Sequence, residues 1–117
     1  MPDSGFAEAL SGEDEIQITV KRVKDGSRRT LPVWFSTEGS KLELLPVHGL
    51  KTRWFRDLQE SGRMEVKVKS WLQITVPRIV LDPVAVDAIK RRFAVKYGEE
   101  AVRKYYPTSE VALEVSL

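Results

Sequence analysis

The side chains best suited to chemistry in this chain are basic and hydroxyl groups crowded into two short stretches. Lys24, Arg28, Arg29 and Thr30 fall within a single expected hairpin. A guanidinium fork beside a hydroxyl suits a bidentate oxyanion, so Arg29 and Thr30 read as a phosphate-binding pair, extended by Arg28 and Lys24. Lys51 and Thr52 stand at the expected start of a helix, where a cation and free N–H groups can face an anion. Thr52 is equally an ordinary helix cap there. Trp54 offers a ring face, although beside Phe55 and Leu58 it reads first as core. Other chemistries are excluded by residue type. The 117 residues hold no cysteine, which rules out disulfides, thiolate metal sites and a cysteine nucleophile. One histidine, His48, is too few for a histidine-based metal site, so no metal is expected. No nucleophile, acid or base arrangement appears, and no catalytic residue is assigned.

Composition sets the frame for these residues. Hydrophobic residues at 42% and charged residues at 31% are an ordinary globular balance, and the length allows one real core. No apolar run approaches the roughly 18 residues of a membrane span. The start of the chain shows no basic-then-apolar signal pattern, and a reducing, cytoplasmic home is expected. The net charge of +2 is unevenly spread. Residues 1–20 carry five acids and no lysine or arginine, whereas residues 21–69 carry twelve basic and six acidic side chains. A basic middle third fits an anionic partner, with phosphate, carboxylate and nucleic acid all open, or simply a solvated strand face.

The elements that must position these residues follow from periodicity. Residues 1–14 read as a flexible acidic tail ahead of a single domain over 15–117. Ile16, Ile18 and Val20 alternate with Gln17, Thr19 and Lys21, which is a half-buried strand. Asp25-Gly26 turns the chain into a second run, Arg29 to Thr37, where Pro32 demands an edge or a bulge. A third strand runs from Lys41 to Val47. Trp54, Phe55 and Leu58 then take helical spacing between Thr52 and the stop at Gly62. Met64 to Lys69 gives a fourth strand, and Leu72, Ile74 and Val76 mark a fifth that can continue past Pro77 to Leu81. Asp82-Pro83 opens a helix whose stripe is Ala85, Ile89, Phe93 and Tyr97, ending at Gly98. A second helical piece, Glu99 to Tyr106, precedes a sixth strand from Val111 to Leu117. The expected fold is mainly β, a small six-stranded barrel with a short helix after strand 3 and a helical pair before the last strand.

Two motifs in that order carry a family resemblance. The hairpin Lys24-Asp25-Gly26-Ser27-Arg28-Arg29-Thr30-Leu31-Pro32-Val33-Trp34 resembles a basic-x-Gly-x-x-Arg-Thr-x-Pro-hydrophobic hairpin. Thr52-Arg53-Trp54-Phe55-Arg56-Asp57-Leu58 resembles a Trp-Tyr-x-Asn-Leu helix. Both belong to the split β-barrel flavin-binding superfamily (pyridoxamine phosphate oxidase-like), nearest its deazaflavin-dependent nitroreductase-like branch. The resemblance implies an antiparallel split barrel of the FMN-binding type acting as a homodimer. It also implies an FMN or 8-hydroxy-5-deazaflavin cofactor near the dimer interface, its phosphate held by the hairpin, and hydride transfer to an unknown small substrate. His48, beside Gly49, would then donate to a cofactor carbonyl, or else serve as a turn residue.

The chain also departs from that branch. Leu45-Pro46-Val47-His48-Gly49-Leu50-Lys51 stands where a Ser-Lys-Gly-Gly-like loop is usual, Val23 replaces a basic residue, and Phe55 and Asp57 replace Tyr and Asn. The alternative is therefore a non-catalytic split-barrel module that has lost its cofactor. Nucleic-acid binding ranks third, because Asp25, Glu38, Glu43, Asp57, Glu60 and Glu65 interleave with the basic residues.

Overall fold

The computed structural model describes residues 9–10, 12–22, 24–107 and 110–116. Most of the expected tail therefore lies outside the described residues. Of its described part, Ala9 and Leu10 are helical and buried in the core.

Eight strands and three helices make up the described chain: β1 (Ile16–Lys21), β2 (Arg28–Val33), β3 (Ser36–Glu38), β4 (Lys41–Leu44), α1 (Arg53–Ser61), β5 (Met64–Val68), β6 (Trp71–Thr75), β7 (Arg78–Val80), α2 (Pro83–Tyr97), α3 (Glu99–Tyr105) and β8 (Ala112–Ser116). The expected six strands become eight because two runs break. The run from Arg29 divides after Val33 into β2 and β3, and the run from Leu72 divides at Val76-Pro77 into β6 and β7. Each break moves the chain from one sheet to the other. The two antiparallel sheets have orders β2-β1-β5-β6 and β3-β4-β8-β7, and among the described residues no ladder closes them into a barrel. Pro32 sits in β2, an edge strand of the first sheet, where its missing N–H costs nothing on the open side.

The layers follow from alternation. Ile16, Ile18 and Val20 of β1 and Met64, Val66 and Val68 of β5 point inward from the first sheet. They meet Leu42, Leu44, Leu113 and Val115 from the second sheet, and α1 plugs the gap with Trp54, Phe55 and Leu58. Helix α1 stops at Gly62, whose φ of 82° is open to glycine and whose N–H bonds Leu58 O. The second sheet is covered on its other face too. There Leu45, Val80 and Ala112 pack on Val86, Ile89 and Phe93 of α2, Val102 of α3, and Tyr106. Asp82 caps α2 by accepting from Ala85 N–H at 3.2 Å, with Pro83 in the first turn, as the Asp-Pro pair requires.

Glu43 faces that helical layer and is completely buried. Such a carboxylate needs a partner. Arg92 of α2 supplies one with Nε–Oε1 and Nη2–Oε2 contacts of 2.6 and 2.5 Å, and the Ser36 hydroxyl adds a third bond at 2.8 Å. The carboxylate holds the Arg92 guanidinium above its ordinary pKa. The outer face of the first sheet has no such covering layer among the described residues.

Candidate functional site

β2 ends the first sheet and leaves a groove beside it. Arg29, Leu31 and Val33 lie half-buried on its inward side, opposite Val20, Ile18 and Ile16 of β1. The groove holds about 410 Å³, walled by these residues, Trp34, Trp54, Tyr105 and Tyr106, with His48, Thr52 and Arg53 along its rim. Its walls are mainly apolar with a few converging polar groups, the usual composition of a small-molecule site.

The aromatic wall is held rigidly. Trp34 stacks on Tyr97 with centroids 4.1 Å apart, and meets Tyr105 edge-on at 5.4 Å and Tyr106 at 6.0 Å. The Tyr97 hydroxyl accepts from Phe35 N–H at 3.1 Å and donates to Asp14 O at 2.6 Å, tying α2 to the break between β2 and β3. Burial raises the Tyr97 pKa to about 12 and pushes that of Tyr106 up as well.

The loop before α1 forms the opposite rim. Gly49–Lys51 is one 3-10 turn, and His48 N–H donates to the buried Thr52 hydroxyl at 2.8 Å. Thr52 is the N-cap by backbone position, but its hydroxyl bonds outside α1. Gly49 has φ +58°, and a Cβ there would fall 2.5 Å from Glu110 Oε1. That oxygen accepts from Leu50 N–H at 3.1 Å, so the turn is clamped from the β8 side.

Beyond Arg53, which also borders the groove, lies an open depression of about 690 Å³. Arg22, Lys24, Lys51, Arg53 and Arg56 line it together with Asp25, Asp57 and Glu60. The Arg22 Nε is buried there without a hydrogen-bond partner, an orphaned donor of the kind an anion would satisfy. Asp25 accepts from the Ser27 hydroxyl and N–H at 2.6 and 2.9 Å, which holds its carboxyl below the usual range. Among the described residues no group of three or more His, Asp or Glu side chains gathers to hold a metal.

The eight residues singled out in the sequence therefore separate. Arg29, His48, Thr52 and Trp54 border the groove, and Lys24 and Lys51 border the basic depression. Arg28 and Thr30 stand on the far side of β2, because neighbours in a strand point opposite ways. Arg28 pairs with Glu65, and Thr30 Oγ1 bonds Thr19 Oγ1 at 2.8 Å. Arg53 was passed over, although its place directly after Thr52 puts it at the same helix start. Glu110, 60 residues from the loop it clamps, leaves no local signal.

Comparison with known proteins places the chain. A family model described as an uncharacterized protein conserved in bacteria (DUF2255) matches residues 7–114. The chain belongs to that family. No curated protein matches this DUF2255 chain in sequence. Its fold is similar to that of an F420-H2 dependent reductase, at TM-score 0.68 and 13% identity over 89% of this chain and 95% of the other. It is similar to HutZ, the heme storage protein from Vibrio cholerae, at TM-score 0.74 and 11% identity over 98% and 89%. It is also similar to an FAD and heme binding protein from Mycobacterium smegmatis, at TM-score 0.69 and 14% identity over 99% and 67%. Identities this low speak for the fold alone. At that level the expected likeness to the fold of a deazaflavin-type (F420-H2 dependent) reductase holds. In the described DUF2255 residues, no helix is long and apolar enough to cross a membrane.

Proposed function

We propose that residues 15–117 form a split-barrel domain that binds FMN or an 8-hydroxy-5-deazaflavin coenzyme in the β2 groove, as a cytoplasmic homodimer. Of the acidic stretch before it, Ala9 and Leu10 pack into its core and Asp14 O accepts from the Tyr97 hydroxyl. The observation that carries this reading is the continuity of an aromatic groove with a cation-rich depression through Arg53. A ring system with an anionic tail needs both, in that order. The reductase and the FAD and heme binding protein of similar fold support a flavin-type ligand in general.

When bound, such a ring carries the hydride to or from a small substrate, while the chain supplies binding, orientation and exclusion of water. Trp34, Trp54 and Tyr106 present apolar surface for the ring. Arg29 holds negative charge at the mouth of the groove, and His48 donates at the rim. Lys24, Lys51, Arg22 and Arg56 hold the tail, with Arg53 bridging the two regions. Arg28 and Thr30, on the other face, support the hairpin rather than touch the ligand.

One observation favours a second reading, a binding module without redox chemistry. The Thr52 hydroxyl is buried and already accepts from His48 N–H, so the loop satisfies itself without a phosphate. Tryptophan fluorescence tests the groove directly, since Trp34 and Trp54 line it whereas Trp71 is 39% exposed on β6. Flavin or deazaflavin addition is expected to quench Trp34 and Trp54 saturably. A signal that never saturates, or that vanishes in Trp71→Phe, contradicts the assignment.

A further inference from the structure

Lys96 of α2 carries a charge that its surroundings leave unmet. Its Nζ donates to Phe35 O at 3.1 Å and rests 3.3 Å from the centre of the Phe35 ring. Among the described residues no carboxylate comes within ion-pair distance of it, and Glu13 and Asp14 act on it only from farther off. Arg92, one turn earlier on α2, is treated differently. Its Nε and Nη2 lie on Glu43, and its Nη1 is 3.8 Å from Glu38. Two cations four apart on a helix repel each other, and only Arg92 has been given counter-charges. Burial pushes the Lys96 ammonium below its ordinary pKa, against the pull of Asp14 and Glu13. Lysines in such surroundings are the ones that react as neutral amines.

The amine also has somewhere to hold a reaction partner. Lys96 borders a cavity of about 470 Å³ that shares no lining residue with the aromatic groove. Leu10, Phe35 and Val95 give it apolar walls, and Ser36 and Thr37 bring hydroxyls. The Ser36 hydroxyl is engaged by Glu43, whereas Thr37 is exposed on β3. A cavity of this size and composition suits a small molecule. The charge of that molecule follows from the acids nearby. Glu13 and Asp14 put negative potential at Lys96, and Glu38 stands beside Arg92, so an anion is disfavoured. An uncharged carbonyl compound meets no such penalty. Lys96 is exposed as a residue, which leaves its amine open to such a compound.

We infer that Lys96 is the nucleophile of a second site, which takes up a small uncharged aldehyde and holds it as an imine. The neutral amine nitrogen attacks the carbonyl carbon, and the C–N bond forms as the C–O π bond opens. Both amine hydrogens leave with the carbonyl oxygen as water, so C=N replaces C=O with no oxidation or reduction. The site stands apart from the flavin groove and does not rest on that reading.

The test is labelling of the full chain with propanal at neutral pH, with cyanoborohydride reducing each imine to a stable amine and peptide masses reporting each lysine. Lys96 is expected to label about tenfold faster than the other eight of the nine lysines, at a rate that saturates as propanal rises. The terminal amine, with its lower ordinary pKa, is read in a separate peptide and left out of the comparison. Lys96→Arg, which keeps a charge beside Phe35, is expected to lose the fast phase. In guanidinium chloride, which unfolds the chain, the nine lysines are expected to label alike. A Lys96 rate no higher than that of the other lysines, or one that climbs linearly without saturating, overturns the proposal. So does a fast phase that survives in Lys96→Arg, or a preference that persists in the unfolded chain. Wild type alone supplies the rate, the saturation and the unfolded comparison, so the test stands even where Lys96→Arg fails to fold.

Discussion

Arg29 and Thr30 are adjacent in sequence and opposite in space. Arg29 lies beside Leu31 on the groove side of β2, while Thr30 bonds Thr19 on the outer face. Arg29→Ala is therefore expected to weaken FMN or deazaflavin binding by about ten- to a hundredfold, a charge-assisted bond being worth about 1.5–3 kcal/mol. Thr30→Val is expected to bind as wild type. Equal losses in the two variants, read by titration, would contradict the assignment of faces. Tyr97 gives a second prediction at this scale. Its folded pKa of about 12 lies above the ordinary value of 10.0, so its neutral form is favoured by folding. The stability it contributes is fully present below pH 10 and is lost as pH rises toward 12. Thermal melts are expected to show a steep fall in Tm over that window, shallower in Tyr97→Phe. An identical slope in the variant would mean that Tyr97 does not carry the effect.

Among the elements, the pairing of β4 with α2 is the least forgiving. Arg92→Leu strands the fully buried Glu43 carboxylate and is expected to cost about 3–5 kcal/mol in urea unfolding. Glu43→Leu/Arg92→Leu removes both charges and is expected to recover most of that loss. A double variant no more stable than Arg92→Leu would show that packing, rather than the stranded charge, is responsible. Nothing in the sequence announced this pair. Glu43 sits in an alternating strand where a polar residue ordinarily meets water, and its partner is 49 residues away. The inversion of β6, where Leu72 and Ile74 are exposed and Gln73 and Thr75 half-buried, was hidden for a related reason, since a period of two finds a strand without saying which face is inside. What could be read was local. The Asp25-Gly26 turn, the α1 stripe, the Asp82-Pro83 start of α2 and the stops at Gly62 and Gly98 all stand where their residues demand. Four of the eight candidate residues border the groove because the loop before α1 faces the inward side of β2. Which side of β2 each residue takes was legible by parity for Thr30 and Arg28 as well, and separates them from Arg29.

For the whole molecule, the asymmetry of its two sheets is the organising fact. The second sheet has a core on one face and α2 and α3 on the other, whereas the first has a core on one face and an outer surface that no layer covers among the described residues. The groove lies at the β2 edge of that first sheet, and Leu72 and Ile74 stand exposed at its β6 edge. The groove and this exposed apolar segment thus occupy opposite edges of one sheet. The central claim concerns that groove. It is tested most directly by equilibrium titration of purified protein, first with FMN and then with the deazaflavin coenzyme, followed by the absorbance and fluorescence of each ring. Saturable binding of one of them at about micromolar affinity, near −8 kcal/mol, is the predicted result. The absence of saturable binding by both would contradict it, and would leave a fold shared with reductases but used for something other than a flavin-type ring.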